Sequence, residues 1–260
     1  MFLRSNLSRS GLTYRPEPFH ADYVGAFRDD RCIAVAAHCW NGMLLLQAPE
    51  SVEELSRACV EHSGRRVTGF SGPLDQVDGA RSALGFADSP AVMDSEESLY
   101  AMNLTDLVVP LELRNGSITC REPRREERDH LCVWRVAYEI ETLGSPDSSE
   151  THERAAQSMD RQIADRQVWV AIQNGEPVSI SAFNAALPDI VQLGGIYTPP
   201  SLRGRGYAKV SVAGSLLAAQ QRGATRAVLF TGNPSAVRSY EAVGFRRVGA
   251  FGLVLLTPTT

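Results

Sequence analysis

In the second half of this 260-residue chain, apolar and polar positions fall into short alternating segments. Apolar runs at Val168 to Gln173, Val178 to Asn184 and Ile190 to Thr198 predict three strands, the first two joined by an Asn174-Gly175 turn. Pro199 and Pro200 remove backbone donors, so sheet pairing stops there. From Tyr207 the spacing turns helical. Val210, Ala213, Leu216 and Leu217 mark one face, and Gly223 lies where a left-handed residue would end the helix. Ala227 to Thr231 predicts a buried strand. Asn233-Pro234 reads as a helix cap and first helical residue, and the short helix behind it carries Tyr240 before breaking at Gly244-Phe245.

The first half repeats this order. Tyr23 to Arg28, Cys32 to His38 and Met43 to Gln47 form a three-strand meander with turns at Asp29-Asp30 and Asn41-Gly42. A helix over Val52 to Glu61 and a strand over Val67 to Phe70 follow, and Gly72-Pro73 with Leu84-Gly85-Phe86 echoes Gly232 to Phe245. Between the halves, Leu107 to Leu113 is apolar, Asn115-Gly116 is a turn, and Ser117 to Arg121 predicts a strand. Helices over Arg124 to Thr142 and Glu150 to Asp165 complete the pattern, with Gly144 to Ser149 as the break. Trp134, Tyr138 and Glu141 share a face of the first, either as core with a solvated end or as the roof of a cleft. The alternation predicts an α/β (mixed α+β) chain of two units, residues 1–105 and 106–260.

Composition narrows the function classes. The chain is 43% hydrophobic, enough for a sizeable core, and its formal net charge of −4 offers no global attraction to nucleic acid. The densest charged run, Arg121 to Asp129, mixes signs as a solvated helix does. No apolar stretch approaches the roughly 20 residues that span a bilayer. Met1 to Ser10 carries Arg4 and Arg9 without the apolar stretch of a signal peptide. Five cysteines, an odd number with no C-x-x-C pair, fit a reducing cytoplasm. The five histidines are scattered, so no metal is expected. His38-Cys39 falls in the apolar run Cys32 to Trp40, where a cysteine acts as a small buried hydrophobe.

The candidate chemistry lies between the third strand and the helix of the second half. Arg203-Gly204-Arg205-Gly206 is a loop with two residues lacking Cβ, which lets backbone N–H groups close on a ligand at a helix start. The positive end of that helix favours an anion, and two arginines add charge-assisted donors. This is a diphosphate cradle. At the matching place the first half has Glu50, Glu53 and Glu54 and no glycine, which would repel a diphosphate.

These motifs resemble the GNAT superfamily of acyl-CoA-dependent N-acetyltransferases, whose pyrophosphate loop follows Q/R-x-x-G-x-G/A. Arg203-Gly204-Arg205-Gly206-Tyr207-Ala208 matches that pattern, and Asn233 to Phe245 is similar to the family's Asn, Tyr-bearing helix and Gly-Phe end. The resemblance implies two tandem GNAT-like units, each a mixed, mostly antiparallel sheet flanked by helices, the N-terminal one degenerate. Packing, dimer formation and walling of the cleft are the roles open to that unit. For the second unit it implies acetyl-CoA as donor and a small-molecule or peptide amine as acceptor. Tyr240 would be the general acid, while Ile196, Tyr197 and Thr198 would meet the pantetheine through main-chain atoms. Residues 203–208 and Asn233 would hold the rest of the cofactor. The base stays open among Glu141, Asp189 and a water relay, and Gln192 stands where a carboxylate would have been more telling. The alternative is an acyl-CoA sensor or interaction module without turnover.

Overall fold

The computed structural model describes residues 1–258. The described residues form two compact units, one of Met1–Leu99 with Phe230–Gly232 and residues 247–258, the other of Tyr100–Leu229 with Asn233–Arg246. The first crossing between them lies at Leu99/Tyr100, and after Arg246 the chain returns to the first unit.

The first unit opens with helix α1 (Phe2–Ser10), followed by β1 (Ala21–Arg28), β2 (Arg31–Cys39) and β3 (Met43–Gln47) as an antiparallel meander. Helix α2 (Val52–Ser63) leads to β4 (Gly69–Pro73), which is parallel to β3 with Leu44 opposite Phe70, and helix α3 (Leu74–Ala83) follows. Strand β5 (Ala91–Asn103) then carries the chain into the second unit.

There the short helix α4 (Leu111–Arg114) and β6 (Thr119–Arg121) precede helices α5 (Arg128–Leu143) and α6 (Ser149–Ala164). The meander β7 (Val168–Gln173), β8 (Glu176–Ala186) and β9 (Ile190–Tyr197) follows the expected segments closely. Helix α7 (Tyr207–Gln221), β10 (Arg226–Thr231) and helix α8 (Pro234–Ala242) complete the unit, with β9 and β10 parallel. Strand β11 (Arg246–Leu256) pairs antiparallel with β4, placing Val254 opposite Phe70. The strand orders are thus β1-β2-β3-β4-β11 in the first unit and β10-β9-β8-β7-β6 in the second.

Each unit has its own core. In the second, Phe183, Leu193, Leu216, Leu229 and Phe245 pack together between α7, α8 and the sheet, while Leu131, Trp134, Met159 and Tyr197 fill the side under α5 and α6. The buried α7 carries small and apolar residues around most of its circumference, so its polarity pattern shows no single apolar face. Among the described residues, no helix is long and apolar enough to cross a membrane. His38 and Cys39 are buried as expected, and burial pushes the Cys39 thiol up to about 12.

Candidate active site

The site is built where two parallel strands part. β9 and β10 pair at Ile190–Gln192 with Arg226–Val228, after which β9 runs on beside β8 to Tyr197. Along that stretch Gly195 and Ile196 oppose the single residue Ser181, a bulge that interrupts the ladder. Gly195 adopts φ +63°, and a Cβ there would lie 2.8 Å from Nη1 of Arg135, so the bulge requires a glycine.

A chain of hydroxyls fixes the end of β9 relative to α7. Thr198 Oγ1 donates to Ser179 Oγ at 2.9 Å, Ser179 Oγ donates to the Tyr197 carbonyl at 3.1 Å, and Ser179 and Ser211 share a hydrogen bond at 3.0 Å. One turn further along α7, Ser215 bonds Ser181 at 3.0 Å. These buried polar groups satisfy one another, so α7 has little freedom to rotate or slide on β8.

The loop after β9 makes a 3₁₀ turn at Pro200–Leu202 and enters α7 through Gly206, left-handed at φ +78°. No side chain caps this helix, leaving its first-turn N–H groups for a ligand. At the start of α8, Asn233 Oδ1 accepts from Ser235 N at 2.9 Å, as its expected capping role requires. Tyr240 is 7% exposed and meets Phe245 edge-on at 6.2 Å. The Phe245 N–H donates to the Tyr240 carbonyl at 3.1 Å, ending the helix at Gly244-Phe245.

A cavity of about 740 Å³ opens among these elements, wholly within the second unit. Ile196, Tyr197 and Thr198 form one wall, and Arg203, Gly204 and Gly206 form its rim. Tyr207, Ala208 and Lys209 follow on α7, Asn233 and Tyr240 face them from α8, and Glu141 closes the end from α5. Of the expected cofactor contacts only Arg205 lies off this wall; its Nη2 donates to the Ser201 carbonyl at 3.4 Å.

Glu141 is firmly engaged. Its Oε2 accepts from Arg203 Nη2 at 2.5 Å and its Oε1 accepts from the Tyr197 phenol at 3.1 Å. The Arg203 bond, with help from Tyr197, holds the carboxyl below its ordinary range, and burial with the adjacent carboxylate raises the Tyr197 phenol. The Tyr197 side chain is thus part of this cluster. Trp134 and Tyr138 pack into the core under α5, while Glu141 on the same helix lines the cavity.

Sequence reasoning missed Lys209 and Arg238. Lys209 is the single lysine of the chain, and its Nζ lies 3.7 Å from where a Cβ on Gly206 would stand and 3.7 Å from Glu112 Oε1. Its place in the first turn after the glycine loop was a legible signal. Arg238 lines the cavity from α8.

The first unit has the same order of three antiparallel strands, helix, parallel strand and helix, with different chemistry. Its α2 starts at Ser51 with Glu53 and Glu54 in the first turn, and Glu50 is paired with Arg28 at 2.5 Å. Phe86 N–H donates to the Arg81 carbonyl at 2.7 Å, the same turn that Phe245 makes with Tyr240. Arg81 itself is bound to Asp94 at 2.9 Å.

Residues 134–245 match the model of the Acetyltransferase (GNAT) family. The curated acetyltransferase Atu2258 of Agrobacterium fabrum is 37% identical over 57 residues, 22% of this chain and 42% of that protein, so the match spans less than half the relative's length. Among solved structures, a GCN5-related N-acetyltransferase from Kribbella flavida aligns with a TM-score of 0.62 at 16% identity, covering 99% of this chain and 95% of that one. A GNAT-family acetyltransferase from Colwellia psychrerythraea aligns at 0.56 and 15% identity over 98% and 93%. At these identities the likeness is one of fold, and it extends over both units.

Proposed function

We propose that the chain is an N-acetyltransferase that moves an acetyl (acyl) group from acetyl-CoA directly to an amine of a small molecule or peptide, using its second unit. The observation that carries this reading is the convergence on one cavity of the uncapped α7 start at Gly206, the bulged end of β9 and the Tyr240 side chain. Its volume of about 740 Å³ lies within the usual range for small-molecule sites. The residues fit the donor: Gly206 lets a phosphate approach the first-turn N–H groups, and Arg203 and Lys209 stand beside them.

The donor supplies an activated acyl thioester; the chain supplies position and protons. Main-chain groups of Ile196 to Thr198 orient the donor's amide arm, and N–H groups freed by the bulge offset charge on the thioester oxygen. The acceptor amine attacks in its neutral form, which for a lysine-like amine of pKa about 10.4 requires desolvation or a base. As the N–C bond forms and the C–S bond breaks, the departing sulfur, with a thiol pKa of about 8.5, takes a proton from the Tyr240 phenol, and the proton that the amine nitrogen gives up to water restores the phenol. Glu141, tied to Arg203, puts a carboxylate on the cavity wall beside the cradle. The first unit, with carboxylates at its α2 start and Arg81 in the tyrosine's place, takes no donor of its own.

The test is a panel of amines, peptides and aminoglycosides incubated with acetyl-CoA while free thiol is followed. Acceptor-dependent thiol release is the expected result. Tight CoA binding with no turnover on a broad panel would replace the enzyme with an acyl-CoA sensor.

A further inference from the structure

Three cations line the cavity, and two of them have partners. Arg203 is bound to Glu141 and to the Thr198 carbonyl, and Lys209 lies 3.7 Å from Glu112, both at the glycine loop that opens α7. Arg238 differs on each count. It projects from α8 and is exposed, with no ion pair or hydrogen bond among the described residues. An exposed arginine ordinarily gains little from lining a cavity unless something charged enters.

The surroundings of Arg238 suit a phosphate monoester. Ser235 and Ser239, one turn apart on α8, line the same wall and offer two hydroxyl donors. The planar guanidinium can hold a phosphate with two parallel hydrogen bonds, which a lysine cannot. Among the described residues, the one carboxylate on the cavity wall is Glu141, and it is already engaged by Arg203 and Tyr197.

Coenzyme A carries two separate anionic groups: a diphosphate, and a 3′-phosphate monoester on its ribose. The loop with Arg203 and Lys209 answers to the first. Resting on the cofactor reading above, we propose that Arg238, with Ser235 and Ser239, binds the 3′-phosphate, so that the cavity distinguishes CoA from 3′-dephospho-CoA. Of the three cations, Arg238 alone is left to be neutralised when the ligand enters.

The experiment is a calorimetric titration of the full chain and its Arg238→Ala variant with CoA and with 3′-dephospho-CoA. A charge-assisted bidentate contact predicts that the parent prefers CoA by about 10- to 100-fold. Arg238→Ala should abolish this preference while leaving affinity for 3′-dephospho-CoA unchanged, and Arg238→Lys should keep part of it. Equal binding of both ligands by the parent, or an equal loss for both in Arg238→Ala, would overturn the assignment while leaving the cofactor cavity intact. Failure of the parent to bind either ligand would overturn the cofactor reading itself, and this inference with it.

Discussion

Arg203 and Glu141, 62 positions apart in the chain, meet at 2.5 Å and join the glycine loop to the end of α5. Both are substantially exposed, so the pair adds little stability, but it places a negative charge on the wall of a cavity suited to a polyanion. For Glu141→Gln we expect CoA affinity to rise by about two- to fivefold at low salt, with the gain vanishing at high salt. Weaker CoA binding would show instead that Glu141 matters by orienting Arg203.

The same pair has a consequence for pH. A carboxyl whose folded pKa is depressed contributes its ion pair above the ordinary carboxylate range and loses it as pH falls through the depressed value. Glu141 therefore does not titrate near neutrality. Any acid-side limb in the rate profile between about pH 6 and 8 should survive in Glu141→Gln. Its disappearance there would make Glu141 the base.

Tyr240→Phe should leave CoA affinity nearly unchanged, because the ring keeps its edge contact with Phe245. Loss of the proton donor should lower kcat by about 10² to 10⁴. Steady-state kinetics beside a CoA titration check both halves, and full activity at neutral pH would remove the phenol from the mechanism.

Ser179→Ala removes the shared partner of Tyr197 O, Thr198 Oγ1 and Ser211 Oγ in a buried setting. The expected cost is about 1–3 kcal/mol of unfolding free energy, together with weaker CoA binding because α7 and the end of β9 lose a common anchor. A denaturant titration and a CoA titration of the variant read the two effects. A variant as stable as the parent would show that the hydroxyl chain is dispensable.

Much of the second unit was legible because local and tertiary signals agree there. β7 begins and ends where its apolar run does, and Gly206 and Asn233 mark helix starts by their own chemistry. Several elements were not recognised, the four-residue α4 among them. In α1 the buried residues are Ser5 and Asn6, so no apolar periodicity announces the helix. The strand β5 is rich in Asp, Glu and Ser between Met93 and Leu99, residues with low strand preference, and its extended form comes from its surroundings. The apolar run of β11 suits a strand, but its partner β4 lies in the first third of the chain. The site shows the same division. The cradle could be read from neighbouring residues, whereas the Arg203–Glu141 pair and the approach of Arg238 depend on contacts between distant segments.

The most direct test of the whole account is the stoichiometry of CoA binding. One CoA per chain is expected, held at the Gly206 cradle, with the acidic α2 start of the first unit excluding a second. Gly206→Val places a β-branched residue at φ +78° and crowds the ground a phosphate would occupy. Calorimetric titration should give a single site in the parent and none in this variant, whose circular dichroism should show that it remains folded. Two CoA molecules per parent chain, or unchanged affinity in folded Gly206→Val, would contradict the account.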